Sequence, residues 1–135
     1  MYILWFNKIV LISKFLKICV MSSNNFIEWT KLLGSDSPDS ANALTTGSDG
    51  SIYISGSTEG DLDGQTNNGA QDAFISKFNS NGTKVWTKLL GSSQNDYANS
   101  LTTGSDGSIY ISGFTKGDLD GQTNNGAGDV FISKF

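Results

Sequence analysis

Short runs of alternating apolar and polar residues, separated by clusters of Gly, Ser, Asn and Asp, fill most of the chain. In SIYISG (51–56), Ile52 and Ile54 alternate with Tyr53 and Ser55. DAFISKF (72–78) carries Phe74 and Phe78 on one side and Ile75 on the other. TKVWTKLLG (83–91) holds Val85, Trp86, Leu89 and Leu90, and ANALTTG (41–47) precedes the turn SDG (48–50). A period of two over four to eight residues, bounded by turn formers, predicts strands. The turns NSNG (79–82) and SDG supply glycines for positive φ. Apolar residues stand on both faces of these strands, which predicts sheets stacked on one another.

The pattern repeats. Residues 29–78 and 86–135 align without a gap at an offset of 57 and differ at nine of fifty positions. Seven of the nine (36, 37, 38, 40, 57, 59 and 71) fall in or beside two connections, 34–40 and 57–71. Antiparallel neighbours put these two connections at one end of the sheet and the tight turns at the other. The core of the longer connection, GDLDGQTNNGA (60–70), recurs unchanged at 117–127. Four short strands repeated at a fixed period describe a propeller blade. The predicted fold is all-β: two four-stranded antiparallel blades of β-propeller type, a partial propeller, after a short apolar N-terminal segment read as helical. The segments are 1–21, a first repeat over 22–78 and a second over 79–135.

The stretch ALTTGSDGSIYISG…DAFISKFNSNGTKVWTKLLG resembles the bacterial SBBP β-propeller repeat over nearly all of 22–135, twice. The resemblance implies a module of secreted or cell-surface proteins with no common enzymatic activity. By analogy with such blades, 41–47 is the inner strand and 83–90 the outer one. FIEWTKLL (26–33) is then an outer strand that comes before its blade. Rings use about four to eight blades, so two cannot close alone. Either the chain is a piece of a longer propeller, or copies assemble as a homo-oligomer in which each N-terminal strand completes a neighbour's blade.

Composition narrows the chemistry. The chain has 135 residues, no His, no Arg and a single Cys, Cys19. Histidine-based triads and metal sites are therefore absent, as are an internal disulfide and a zinc cluster. From residue 21 onward six lysines face thirteen acids, a net charge of −7, which argues against nucleic-acid binding. Aspartates can still do acid–base work, so a carboxylate enzyme stays an alternative to a non-enzymatic module.

The repeated polar loop is the candidate site. Asp61, Asp63 and Asp72, with Asp118, Asp120 and Asp129 in the second copy, gather acids at one rim. Calcium takes six to eight oxygen ligands, and Asp-x-Asp-Gly followed by Asn offers several. The other reading is structural: Asp and Asn bond nearby backbone, and a long loop needs such bonds to stay ordered. Trp29 and Trp86 are read as packing between blades, with sugar stacking as the alternative. The Asn81-Gly82-Thr83 sequon is read as a tight turn. The expected function is a non-enzymatic module for binding or scaffolding a protein or glycan, with an oligomeric lectin-like propeller as the first alternative.

The first twenty residues, with Lys8, Lys14 and Lys17 and no acid, are too interrupted for a membrane span and lack a cleavage site. They are read as a membrane-surface helix, a degenerate signal sequence, or an extension upstream of a true start at Met21.

Overall fold

The computed structural model describes residues 27–135, so the expected helix over 1–21 lies outside the described residues. Seven strands form two sheets. β1 (Asp39–Thr46), β2 (Ile52–Thr58), β3 (Asp72–Phe78) and β4 (Lys84–Leu90) make the first, in the order β1-β2-β3-β4. β5 (Asp96–Thr103), β6 (Ile109–Thr115) and β7 (Asp129–Lys134) make the second, in the order β5-β6-β7. Every strand ladder is antiparallel and joins neighbours in sequence. The predicted strands and their order are thus present, with ends shifted by one or two residues.

The first sheet has four strands and the second three, consistent with the expected partial propeller. The described part of the predicted N-terminal strand, 27–33, belongs to no ladder. The reason is geometric: a strand needs an edge to bond, and this stretch lies beside a face of the first blade.

Local chemistry sets the turns. Gly47 N–H donates to Ser51 O at 2.8 Å, Asp49 accepts the Ser51 N–H at 2.9 Å, and Gly50 takes φ 77°. Lys77 pairs with Asp49 at 3.0 Å and Lys134 with Asp106 at 2.8 Å, one ion pair at the turn end of each blade. Asp49 and Asp106 are each held down to about 2, Asp49 first by the Ser51 N–H and then by Lys77, Asp106 first by Lys134 and then by Ser108. The inner strands bulge at Asn42 and Asn99. A Cβ on Gly56 would come 1.7 Å from Ser40 O, so only glycine lets β2 lie this close to the bulged strand.

The core lies between the sheets, as two-faced strands require. Tyr53, Ala73 and Ile75 of the first blade meet Ala98, Ile109 and Ile111 of the second. Each fully buried isoleucine contributes about 1.5–3 kcal/mol. Trp86 fills the outer part of the seam, edge-on to Tyr53 at 6.0 Å and stacked on Phe135 at 6.2 Å. Near the inner strands Asn42 donates to Ala98 O at 2.8 Å across the seam.

Candidate functional site

The long connections do share one rim. Glu59 N–H donates to Pro38 O at 3.0 Å, joining the 57–71 loop to the 34–38 connection. Within the loop, Leu62 and Gln65 exchange two backbone hydrogen bonds at 3.0 Å, with Asp63 at φ 55° and Gly64 at φ 74° between them. This is a two-residue hairpin whose central pair is left-handed, the conformation that Asp-Gly favours. Leu62 plugs the hairpin into the blade and is buried.

The rest of the loop is bonded to itself. Asn67 N–H donates to Asp61 at 2.9 Å, its side-chain amide donates to Thr58 O at 2.9 Å, and its carbonyl accepts Gly69 N–H at 2.9 Å. Asn68 N–H donates to Asp72 at 2.9 Å. The second copy repeats the set. Asn124 bonds Asp118, Thr115 O and Gly126 at 2.8, 3.1 and 3.0 Å, and Asn125 N–H donates to Asp129 at 2.9 Å. Two aspartates and the side chain of one asparagine thus hold the backbone of each loop in place, Asp61, Asp72 and Asn67 in the first and Asp118, Asp129 and Asn124 in the second.

The hairpin of the first blade also clamps the outer strand. Gln65 donates to Thr87 O and accepts Leu89 N–H, and Asp63 accepts from both Lys84 and the Thr87 hydroxyl. Burial pushes the Asp63 carboxyl up, but the bonds from Lys84 and Thr87 outweigh it and hold it below its usual range. Below the hairpin, Ser76 and Thr87 hydroxyls meet at 2.8 Å. In the second blade the same place is an open trough of about 360 Å³, lined by Leu119, Asp120, Gln122, Phe131 and Ser133.

Between the blades, the rim buries two carboxylates. Asp72 and Asp96 are each fully buried, and each keeps one oxygen without a hydrogen-bond partner among the described residues. Asp96 accepts the Ser92 N–H and hydroxyl at 2.7 and 2.9 Å through its other oxygen, and its own N–H donates to Gln71 O at 2.7 Å. Burial, with the Asp96 charge added, pushes the Asp72 carboxyl up against the lowering effect of Asn68 N–H. A Cβ on Gly91 would sit 2.0 Å from the Asp72 carboxyl carbon, so Gly91 is the space in which Asp72 is tucked.

The family model described as a beta-propeller repeat, SBBP, matches residues 28–63 and 85–120, slightly more than half of the chain. The chain belongs to the SBBP beta-propeller repeat family. The two SBBP matches are themselves 57 residues apart and each starts within an outer-strand sequence, so 28–33 counts as part of a repeat. A curated relative, the "Regulatory protein FlaEY" of Caulobacter vibrioides, is 31% identical over 118 residues. That match takes in 79% of this chain and 12% of the relative, so the chain spans only a small part of the relative's length.

In this SBBP chain the six candidate ligands do not converge. Asp61 and Asp118 bond their own loops, Asp63 bonds the outer strand, Asp72 turns into the seam, and Asp120 and Asp129 stand at the trough. Among the described residues no three acidic, Cys or His side chains form a group able to hold a metal. Trp86 packs between blades. Trp29 lies over Gly82, where a Cβ would meet its ring at 2.9 Å, and it helps line an apolar groove of about 330 Å³ with Leu33, Leu44, Ile54, Phe74 and Phe78. Sequence reasoning missed Gln65 as the clamp on the outer strand and Asp96 as the partner of Asp72. The signal for Gln65 was its place after Asp-Gly in a two-residue hairpin, which aims it across the sheet.

Proposed function

We propose that the chain is a non-enzymatic propeller module that serves binding or scaffolding. One observation carries this: in both copies the rim uses two carboxylates, Asp61 and Asp72 and their counterparts Asp118 and Asp129, to hold its own loop backbone, so each blade presents a stiff polar loop. A general acid needs a carboxyl exposed to substrate. Asp72 and Asp96, close enough at the rim for one charge to act on the other, are sealed between blades. The curated relative is named a regulatory protein, which supports a binding role.

The test is a screen of the full chain against chromogenic glycosides, esters and phosphoesters. Release no faster than in buffer is expected. Turnover that is lost in Asp61→Asn or Asp118→Asn would overturn the module reading.

A further inference from the structure

We propose that residues 27–33 of one copy complete the second blade of another copy. They pair antiparallel with β7 and lie in the trough beneath its Asp120-Gly121 hairpin. The proposal rests on the module reading and names the partner: a second copy of this chain.

The first blade shows what the trough of the second accepts. There the trough holds β4, whose Trp86-Thr87-Lys88-Leu89-Leu90 is followed by Gly91. The same six residues, WTKLLG, stand at 29–34, outside any ladder, with Leu32 96% exposed. Ser133, Gln122 and Asp120 repeat the groups that hold β4, namely Ser76, Gln65 and Asp63. The far face of β7 exposes Val130 and Ile132, the counterparts of the buried Ala73 and Ile75.

The segment sits where a second copy could use it. Trp29 already packs beside the open face of its own first blade, as Trp86 packs against the second blade. That open face, with Leu44, Ile52, Ile54 and Phe74, repeats the face formed by Leu101, Ile109, Ile111 and Phe131, which meets the first blade within the chain. Tyr110, Val130 and Ile132 of one copy can therefore cover the Leu44–Phe74 face of the next, repeating the internal seam. Its own β7 is out of reach, since the whole first blade lies between it and the segment. The contact is head to tail, and such contacts close into rings when the rotation allows.

The register follows from β3 and β4, where Ile75 faces Lys88 and Ser76 faces Thr87. Shifted by 57, Ile132 faces Lys31 and Ser133 faces Thr30 of the second copy. Thr87 O and Leu89 N point to Gln65, so Lys88 turns its backbone to β3. Lys31 must then bond Ile132 through its own N–H.

Light scattering on the full chain over a range of concentrations tests the pairing, together with two sets of variants. The wild-type chain is expected to give a discrete multimer. Lys31→Pro, which removes one N–H from a stretch outside any ladder, is expected to give a single-chain mass with unchanged β-sheet circular dichroism. Lys31→Ala is expected to keep the multimer. In a Cys19→Ser background, Thr30→Cys with Ser133→Cys is expected to form disulfides between chains on mild oxidation, because their counterparts' hydroxyls meet at 2.8 Å. Thr30→Cys with Ile132→Cys, which points to the other face, is expected to form few. A single-chain mass for the wild type at all concentrations would overturn the proposal, as would a multimer that ignores Lys31→Pro and links both cysteine pairs equally. Neither outcome touches the module reading, which falls only on turnover.

Discussion

β3 and β7 differ at a single position over their shared six residues, Ala73 against Val130, yet they live in different surroundings. Every residue of β3 except Lys77 is buried, while β7 alternates between half-buried and exposed. Ile75 is 0% exposed and Ile132 is 73% exposed. Both strands have the same pairing with the strand before them. What differs is the neighbour on each remaining side: β4 along the edge of β3, and the second blade over its face. Burial in a repeat protein is therefore a property of the interfaces between units, and an end unit lacks part of it.

The widest separation between the two copies is expected in the core. Ile75→Ala should cost about 3 kcal/mol in urea unfolding, because it opens a cavity in a closed seam. Ile132→Ala should cost less than about 0.5 kcal/mol at concentrations where the mass is that of one chain. Equal costs in such a chain would mean that β3 and β7 are equally buried. The tryptophans should differ next. Trp86→Ala removes the ring held between Tyr53 and Phe135 and should cost about 3 kcal/mol. Trp29, 39% exposed beside an open groove, should cost about 1 kcal/mol, read as a smaller fall in Tm.

The aspartates at the rim separate the two copies with the opposite sign. Asp72→Asn should stabilise the chain by about 1 kcal/mol at neutral pH, since it removes a buried charge repelled by Asp96. Asp129→Asn, at the half-buried counterpart, should change stability by less than about 0.5 kcal/mol. The pH dependence follows the same sign. A carboxyl raised by folding is unfavourable above its folded value, so the chain regains stability as pH falls through that value toward 3.8. Asp72→Asn should flatten that rise in a series of urea midpoints. Asp49 and Asp106 act oppositely: their contribution is complete above 3.8 and is lost as pH falls through about 2. The smallest effect concerns calcium. Because Asp61, Asp63 and Asp72 serve three separate sets of partners, millimolar calcium followed by chelation should leave Tm unchanged. A reversible rise would mean that the loop rearranges to bring them together.

Much of the fold was legible in sequence because the causes are local. Alternation in SIYISG and DAFISKF marked β2 and β3, glycines marked the tight turns, and the offset of 57 marked the repeat. The rim was legible too, since antiparallel order alone brings 34–40 and 57–71 to one end. The chemistry of the rim was harder to read. Asp63-Gly64 is compatible with a calcium loop and with a left-handed hairpin turn, and the choice depends on where the Asp63 carboxylate finds a donor. It finds Lys84 and Thr87, some twenty residues away on β4.

Local sequence set the strand pattern, the repeat and its register, because a period of two and a turn residue act over a few positions. Tertiary structure alone decided which copies of identical residues are buried. Ile75 and Ile132 carry the same side chain in the same local pattern, and hydrophobic burial depends on what is packed against it. Tertiary structure alone also set Asp72 against Asp96, since two acids 24 positions apart become neighbours only when one sheet stacks on the next.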